Sequence, residues 1–128
     1  MIKVIADTSF LMLPGMLKID ITAESERVLE DKCEFLVPSP VLRELEKIAE
    51  RGTPRERSAA RLALKMVEKC KIVRAEGDAD ACILSLAEEM GTPVGTADGE
   101  LKRKLRRKGV AVIYVRGKSH LAMDGNVR

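Results

Sequence analysis

Four carboxylates, Asp7, Glu44, Asp80 and Asp98, stand where strands give way to helices or in the opening turns of helices. Asp7 closes a short, mostly apolar run, Ile2-Lys3-Val4-Ile5-Ala6, of the kind that forms a buried strand. Asp98 follows a second such run, ending at Thr96, by two residues. Helical spacing gives the other positions an inward bias. Asp80 heads a stripe with Ile83, Leu84 and Ala87, Asp98 heads one with Leu101 and Leu105, and Glu44 shares a face with Val41 and Ile48. Acidic groups gathered near a core repel one another and lose hydration, a conflict that a divalent cation removes. An all-oxygen donor set favours Mg²⁺ or Mn²⁺, and a single histidine, His120, leaves no His-rich zinc or iron site. Mg²⁺ held by carboxylates, with water positions open, is a site for phosphate chemistry.

Each acid also has a plainer reading. Asp78 is an N-cap, and Asp98 taken alone fits that role equally. Asp80 near a helix start complements the dipole, and Glu44 alone reads as a solvated helix residue. Asp7 is the hardest to dismiss, because aspartate is poor in strands. The coincidence of all four carries the argument. Glu46, Glu50, Glu88 and Glu89 fall outside the inward faces.

The elements that must deliver these side chains alternate. Strands are predicted over residues 2–6, 34–37, 72–74, 93–96 and 110–115. After a short helical turn and loop in 10–17, helices are predicted over 22–32 and, with Ser39 as N-cap and Pro40 first, to about Gly52. A third runs from Thr53-Pro54, with Glu56 completing a capping box, to about Lys69. The fourth covers 79–90 with Asp78 before it and Gly91 at its C′ position, and the fifth runs from Asp98 to Gly109. Strand–helix alternation implies a parallel sheet. All strand ends then point one way, and the four acids approach the edge where such sheets bind ligands. Residues 1–115 read as one domain, and the polar tail 116–128 is expected to lack regular structure.

Composition narrows the classes. Apolar residues make up 45% and charged residues 34%, which marks a globular chain. Only 2% is aromatic and there is no Trp, so the core is aliphatic and base-stacking modules of the RRM or OB type have almost nothing to stack with. No apolar run approaches a membrane span, and Asp7 breaks the only stretch that could resemble a signal peptide, so a soluble, cytoplasmic protein is expected. Cys33, Cys70 and Cys82 show no CxxC spacing and read as free thiols. The net charge of +3 is unevenly spread. Residues 98–108 hold six basic groups (Lys102, Arg103, Lys104, Arg106, Arg107, Lys108) against two acids, a local +4. With Leu101 and Leu105 facing the sheet, these cations splay outward beside Asp98 and suit a phosphate backbone.

At these residues the chain resembles the PIN-domain ribonuclease family. The likeness rests on Ile5-Ala6-Asp7-Thr8-Ser9, Val41-Leu42-Arg43-Glu44-Leu45, Ala79-Asp80-Ala81-Cys82-Ile83 and Thr96-Ala97-Asp98, and covers roughly residues 2–115. Within the family, the segments 79–83 and 96–114 are similar to the archaeal and ribosome-biogenesis branch, and VapC-type toxins share the acidic set. The resemblance implies a three-layer α/β/α sandwich with a central, mainly parallel five-stranded sheet. It implies Mg²⁺- or Mn²⁺-dependent endonucleolytic hydrolysis of RNA phosphodiesters, leaving 5′-phosphate and 3′-hydroxyl ends, as in rRNA processing. Asp7, Glu44, Asp80 and Asp98 would be metal ligands or water-positioning groups, with Thr8, Ser9 and Thr96 as supporting hydroxyls. Asp78 departs from the pattern by adding an acid beside the third position. The resemblance also implies a homodimer, and either an antitoxin or a ribosome-assembly partner. Two other readings remain: a VapC-type toxin, and a catalytically silent RNA-binding module. A phosphatase or receiver domain fits worse, since no second Asp follows Asp7 by two residues.

Overall fold

Residues 1–127 are described by a computed structural model, which shows a six-stranded sheet in the order β3-β2-β1-β4-β5-β6 with helices packed on it. The strands are β1 (Ile2–Ala6), β2 (Cys33–Pro38), β3 (Lys71–Val73), β4 (Val94–Gly95), β5 (Val112–Arg116) and β6 (His120–Asp124). The helices are α1 (Thr8–Leu11), α2 (Leu13–Leu17), α3 (Ile21–Leu29), α4 (Ser39–Arg51), α5 (Pro54–Val67), α6 (Ala79–Met90) and α7 (Gly99–Arg107). β1 to β5 pair in parallel, as strand–helix alternation requires, and the result is the three-layer α/β/α arrangement. The order runs outward from β1 through β2 to β3, then returns to the other side of β1 for β4. β1 is therefore where the order reverses, and the crevice at its carboxyl end is the natural ligand position.

Burial explains the placement of β1. Val4, Ile5 and Ala6 are almost fully buried, as a central parallel strand covered on both faces must be. The core around it is aliphatic apart from Phe10 and Phe35, whose rings meet edge to face at 5.9 Å. Gly95 ends β4 against the Phe10 ring, where an added Cβ would stand 2.7 Å from the ring carbons. This glycine supplies space, and it keeps the end of β4 tight against the turn that follows β1.

Three local readings differ from expectation. The polar tail contains a strand: β6 pairs antiparallel with β5, Val112 opposite Asp124 and Arg116 opposite His120. Gly117 and Lys118, both at positive φ, make the turn between them. α3 fixes this strand by a fork. Arg27 Nη2 donates to the Leu121 carbonyl at 2.7 Å, and the Leu121 amide donates to Glu24 Oε1 at 2.9 Å. The Arg27 hydrogen bond, then the Leu121 amide, hold the Glu24 carboxyl down at about 2. Ser39 is not an N-cap but the first residue of α4. Its hydroxyl donates to the Ala75 carbonyl (2.8 Å) and accepts from the Ala75 amide (3.0 Å), stitching α4 to the loop before α6. The segment after Asp7 is two short helices rather than a turn and loop, with Asp7 itself capping α1 through a 2.7 Å bond from the Thr8 amide. The Thr53–Glu56 capping box, the Asp78 cap and left-handed Gly91 are as expected.

Candidate functional site

The end of β1 and the end of β4 are joined by hydroxyl groups some ninety residues apart in sequence. Asp7 is 6% exposed and accepts three hydrogen bonds: Thr8 N to Oδ1 at 2.7 Å, and Ser9 Oγ (2.9 Å) and Thr96 Oγ1 (2.7 Å) to Oδ2. Each hydroxyl spends its one proton on Asp7 and accepts a backbone amide in return. Ala97 N donates to Ser9 Oγ at 2.9 Å and Asp98 N to Thr96 Oγ1 at 3.0 Å. The 3.3 Å approach of Ser9 Oγ to Thr96 Oγ1 therefore has no proton left for it. Asp7 stays a full acceptor whose orientation is fixed from both sides, and the same hydroxyls set the backbone that presents Asp98.

The other acids stand around this anchor. Glu44, on the second turn of α4, is exposed and accepts from Thr8 Oγ1 at 2.8 Å. Asp98 is exposed and caps α7, taking Glu100 N (2.9 Å) and Leu101 N (3.3 Å) on Oδ1. The N-cap uses one oxygen only: Oδ1 serves the helix, and Oδ2 receives no hydrogen bond among the described residues. Asp80, in the first turn of α6, is half-buried. Its carboxyl is raised above the ordinary value by burial first, then by the negative charges of Asp7, Asp78 and Asp98, with Lys104 opposing. The inward bias expected from helical spacing is thus met by Asp80, while Glu44 and Asp98 sit at the rim. Thr8, Ser9 and Thr96 all belong to the network.

None of the four acids is paired with a cation in the ion pairs among the described residues. Nor do three His, Cys, Asp or Glu side chains among the described residues stand close enough to enclose a metal ion. The donor set nevertheless fits a hard divalent cation: carboxylates only, mutually repelling, and unneutralised by protein. The repulsion has a consequence for stability. Asp80 binds its proton more readily folded than unfolded, so its contribution weakens as pH rises from the ordinary carboxyl value through the raised one. Asp80→Asn is expected to raise Tm at pH 7, with the gain shrinking toward pH 4, as thermal unfolding at the two pH values would show. An unchanged or lowered Tm at pH 7 would count against this cluster.

α7 places its apolar residues as expected, with Leu101 and Leu105 fully buried. Its cations are less free than their number suggests. Lys102 (3.7 Å) and Arg106 (3.4 Å) both pair with Asp124 of β6, Lys104 pairs with Glu100 and Lys108 with Glu88. Arg103 and Arg107 make no ion pair among the described residues. Nothing in the local sequence marks Asp124, because the strand that carries it has a single fully buried residue, Leu121. A cavity of about 650 Å³ lies elsewhere, at the amino ends of β1 and β2, where Met1, Ile21, Cys33, Phe35 and Cys70 line it and none of the four acids does. Burial pushes the Cys33 thiol up to about 11, in keeping with an unreactive structural cysteine.

Known proteins resemble this chain in sequence and in fold. The chain is 34% identical over 112 residues to a curated protein, ribonuclease VapC9 of Archaeoglobus fulgidus, covering 88% of this chain and 82% of that one. It is 35% identical to ribonuclease VapC4 of Methanocaldococcus jannaschii, covering 99% of this chain and all of that one. Among solved structures, the PIN domain endonuclease Utp24 superposes with a TM-score of 0.79 at 25% identity, over 98% of this chain and 92% of that one. A domain of a functionally unknown M. jannaschii protein superposes with a TM-score of 0.65 at 18% identity, a likeness of fold alone. The family profile for the PIN-like domain matches residues 4–118, and the chain belongs to that family.

Proposed function

We propose that this protein is a divalent-metal-dependent endoribonuclease whose reaction centre is the carboxylate group at the ends of β1 and β4. The observation that carries the reading is the hydroxyl belt holding Asp7, buried and acceptor-only, beside unneutralised Asp80 and Asp98. The names of the relatives, two ribonucleases and one endonuclease, support the same activity. Asp7, Glu44, Asp80 and Asp98 would hold Mg²⁺ or Mn²⁺. The metal, when bound, supplies an activated water and balances the charge that develops on the phosphate oxygens.

The chain's own groups prepare that edge. Ser9 and Thr96 keep Asp7 turned, since both donate their hydroxyl protons to its Oδ2. Thr8 Oγ1 fixes Glu44 across from it. The cations of α7 lie beside Asp98 and draw the phosphate backbone toward it. The first reading is a role in rRNA or other RNA processing, and the likeness to an endonuclease, Utp24, supports cleavage within the strand. The second reading, a VapC-type toxin held in check by an antitoxin, is supported by two relatives of that name matched over most of their length. Mn²⁺-stimulated cleavage of RNA by the wild-type chain, lost in the Asp7 variant, tests the activity. Co-purification of a small partner that suppresses cleavage separates the toxin from the processing enzyme.

A further inference from the structure

We propose that a cavity of about 220 Å³ beside Asp98 is a nucleobase subsite, with Tyr114 as its stacking platform. The inference rests on the RNA reading and deepens it. The cavity lies between the start of α7 and β5, and its lining includes Thr96, Asp98, Gly99, Lys102, Tyr114 and Val115. It therefore shares residues with both the hydroxyl belt and the basic helix.

Three observations converge there. The chain has no Trp, two Phe and one Tyr. Both Phe are buried in the core, so Tyr114, half-buried on β5, offers the one benzenoid ring within reach of a ligand, and the exposed imidazole of His120 is not among the residues lining this cavity. The tyrosine ring is next to the acidic edge rather than elsewhere on the surface. Secondly, the ring carries a cation: Lys102 Nζ lies 3.5 Å from its centroid, and 3.7 Å from Asp124 Oδ2. The ammonium is held by two weak attractions on a flexible stem, and neither anchors it against a phosphate. Thirdly, Gly99 lines the cavity without a side chain, and the nearest group to the position its Cβ would take is Arg103 Nη1 at 3.5 Å, a second cation within reach of a phosphate.

A nucleotide entering beside the reaction centre brings both replacements at once. Its base takes the ring face, where stacking substitutes for the cation–π contact, and its phosphate takes the ammonium. Tyr114 thus binds a base flanking the scissile phosphate, and Lys102 moves from ring to backbone. Stacking of this kind tolerates any base, so the site positions the strand more than it reads sequence.

The single tyrosine makes the test direct. Protein labelled with 3-fluorotyrosine gives one ¹⁹F resonance, from position 114. The wild-type chain in EDTA is titrated with a single-stranded hexaribonucleotide, and separately with an abasic ribose-phosphate oligomer of equal length and charge. The resonance is expected to move further with the first than with the second, whose phosphates can only draw Lys102 off the ring, and equal shifts overturn the subsite. Tyr114→Leu should weaken hexanucleotide binding, followed by anisotropy, at least about fivefold. It should leave affinity for the abasic oligomer unchanged, and Tyr114→Phe should restore most of the loss. A resonance that stays still while RNA binds, no binding at all, or equal affinity of Tyr114→Leu for the hexanucleotide overturns the subsite. The nuclease reading fails separately, when wild type cleaves no RNA with Mn²⁺ although the resonance responds.

Discussion

Asp7→Asn is expected to lower Mn²⁺-stimulated RNA cleavage about 10² to 10³-fold while leaving RNA binding in place. The amide oxygen can still accept the Thr8 amide, so the cap of α1 survives. The amide nitrogen then faces two hydroxyls, Ser9 and Thr96, that had donated to a carboxylate oxygen. Both must turn, and the negative charge at the centre of the edge is gone. Cleavage time courses, anisotropy with labelled RNA and a thermal-unfolding control together separate lost chemistry from lost structure. Should the disturbed hydroxyls unfold the chain, Glu44→Gln serves instead. Glu44 is exposed, and its amide oxygen can keep the Thr8 hydroxyl. Wild-type cleavage rates in both folded variants would remove these acids from the reaction.

Phe10→Ala is expected to destabilise the fold by about 3–5 kcal/mol, read as a lower denaturation midpoint with little change in slope. Phe10 is fully buried, meets Phe35 edge to face, and lies against the face of Gly95 where a methyl would stand 2.7 Å away. The last contact makes the loss partly recoverable. Gly95→Ala alone overpacks the joint, yet in the Phe10→Ala background its methyl enters space the ring has left. The double variant should be more stable than the two single effects added together predict, and strict additivity would show that the two residues do not meet. Because Ser9 and Thr96 flank these positions, cleavage should fall with Phe10→Ala even in the fraction that remains folded.

The parallel sheet, the helix order and the edge carrying the acids were legible because they depend on periodicity and on caps, which are local. Asp78, Gly91 and the Thr53–Glu56 box act within one helical turn of themselves, and each holds in the structure. Ser39 misled for the opposite reason: its hydroxyl partner, Ala75, is 36 residues away. β6 was missed because its register comes from β5 and from the Glu24–Arg27 fork, whereas its own five residues include only one that is fully buried. Composition points away from Tyr114, since an average of few aromatics says nothing of where the single tyrosine lies. The spacing argument brought Asp80 inward correctly but overstated Glu44 and Asp98. A helix stripe predicts the side of a helix, and its first turns project past the sheet into solvent.

The pairing within α7 changes how a polyanion would experience this protein. Each phosphate contact releases condensed cations from the RNA, but a side chain drawn away from Asp124, Glu100 or Glu88 leaves a carboxylate that takes a cation back. Arg103 and Arg107 are the exceptions on this helix. Lys102 and Arg106 share one acid, Asp124, so Lys102 can turn to a phosphate while Arg106 keeps that acid paired, and the logarithm of RNA affinity should fall against the logarithm of salt with a slope of about −2, against about −4 if all six cations acted independently. Affinity measured from low to moderate salt would show that β6 sets how tightly the basic helix can hold its substrate.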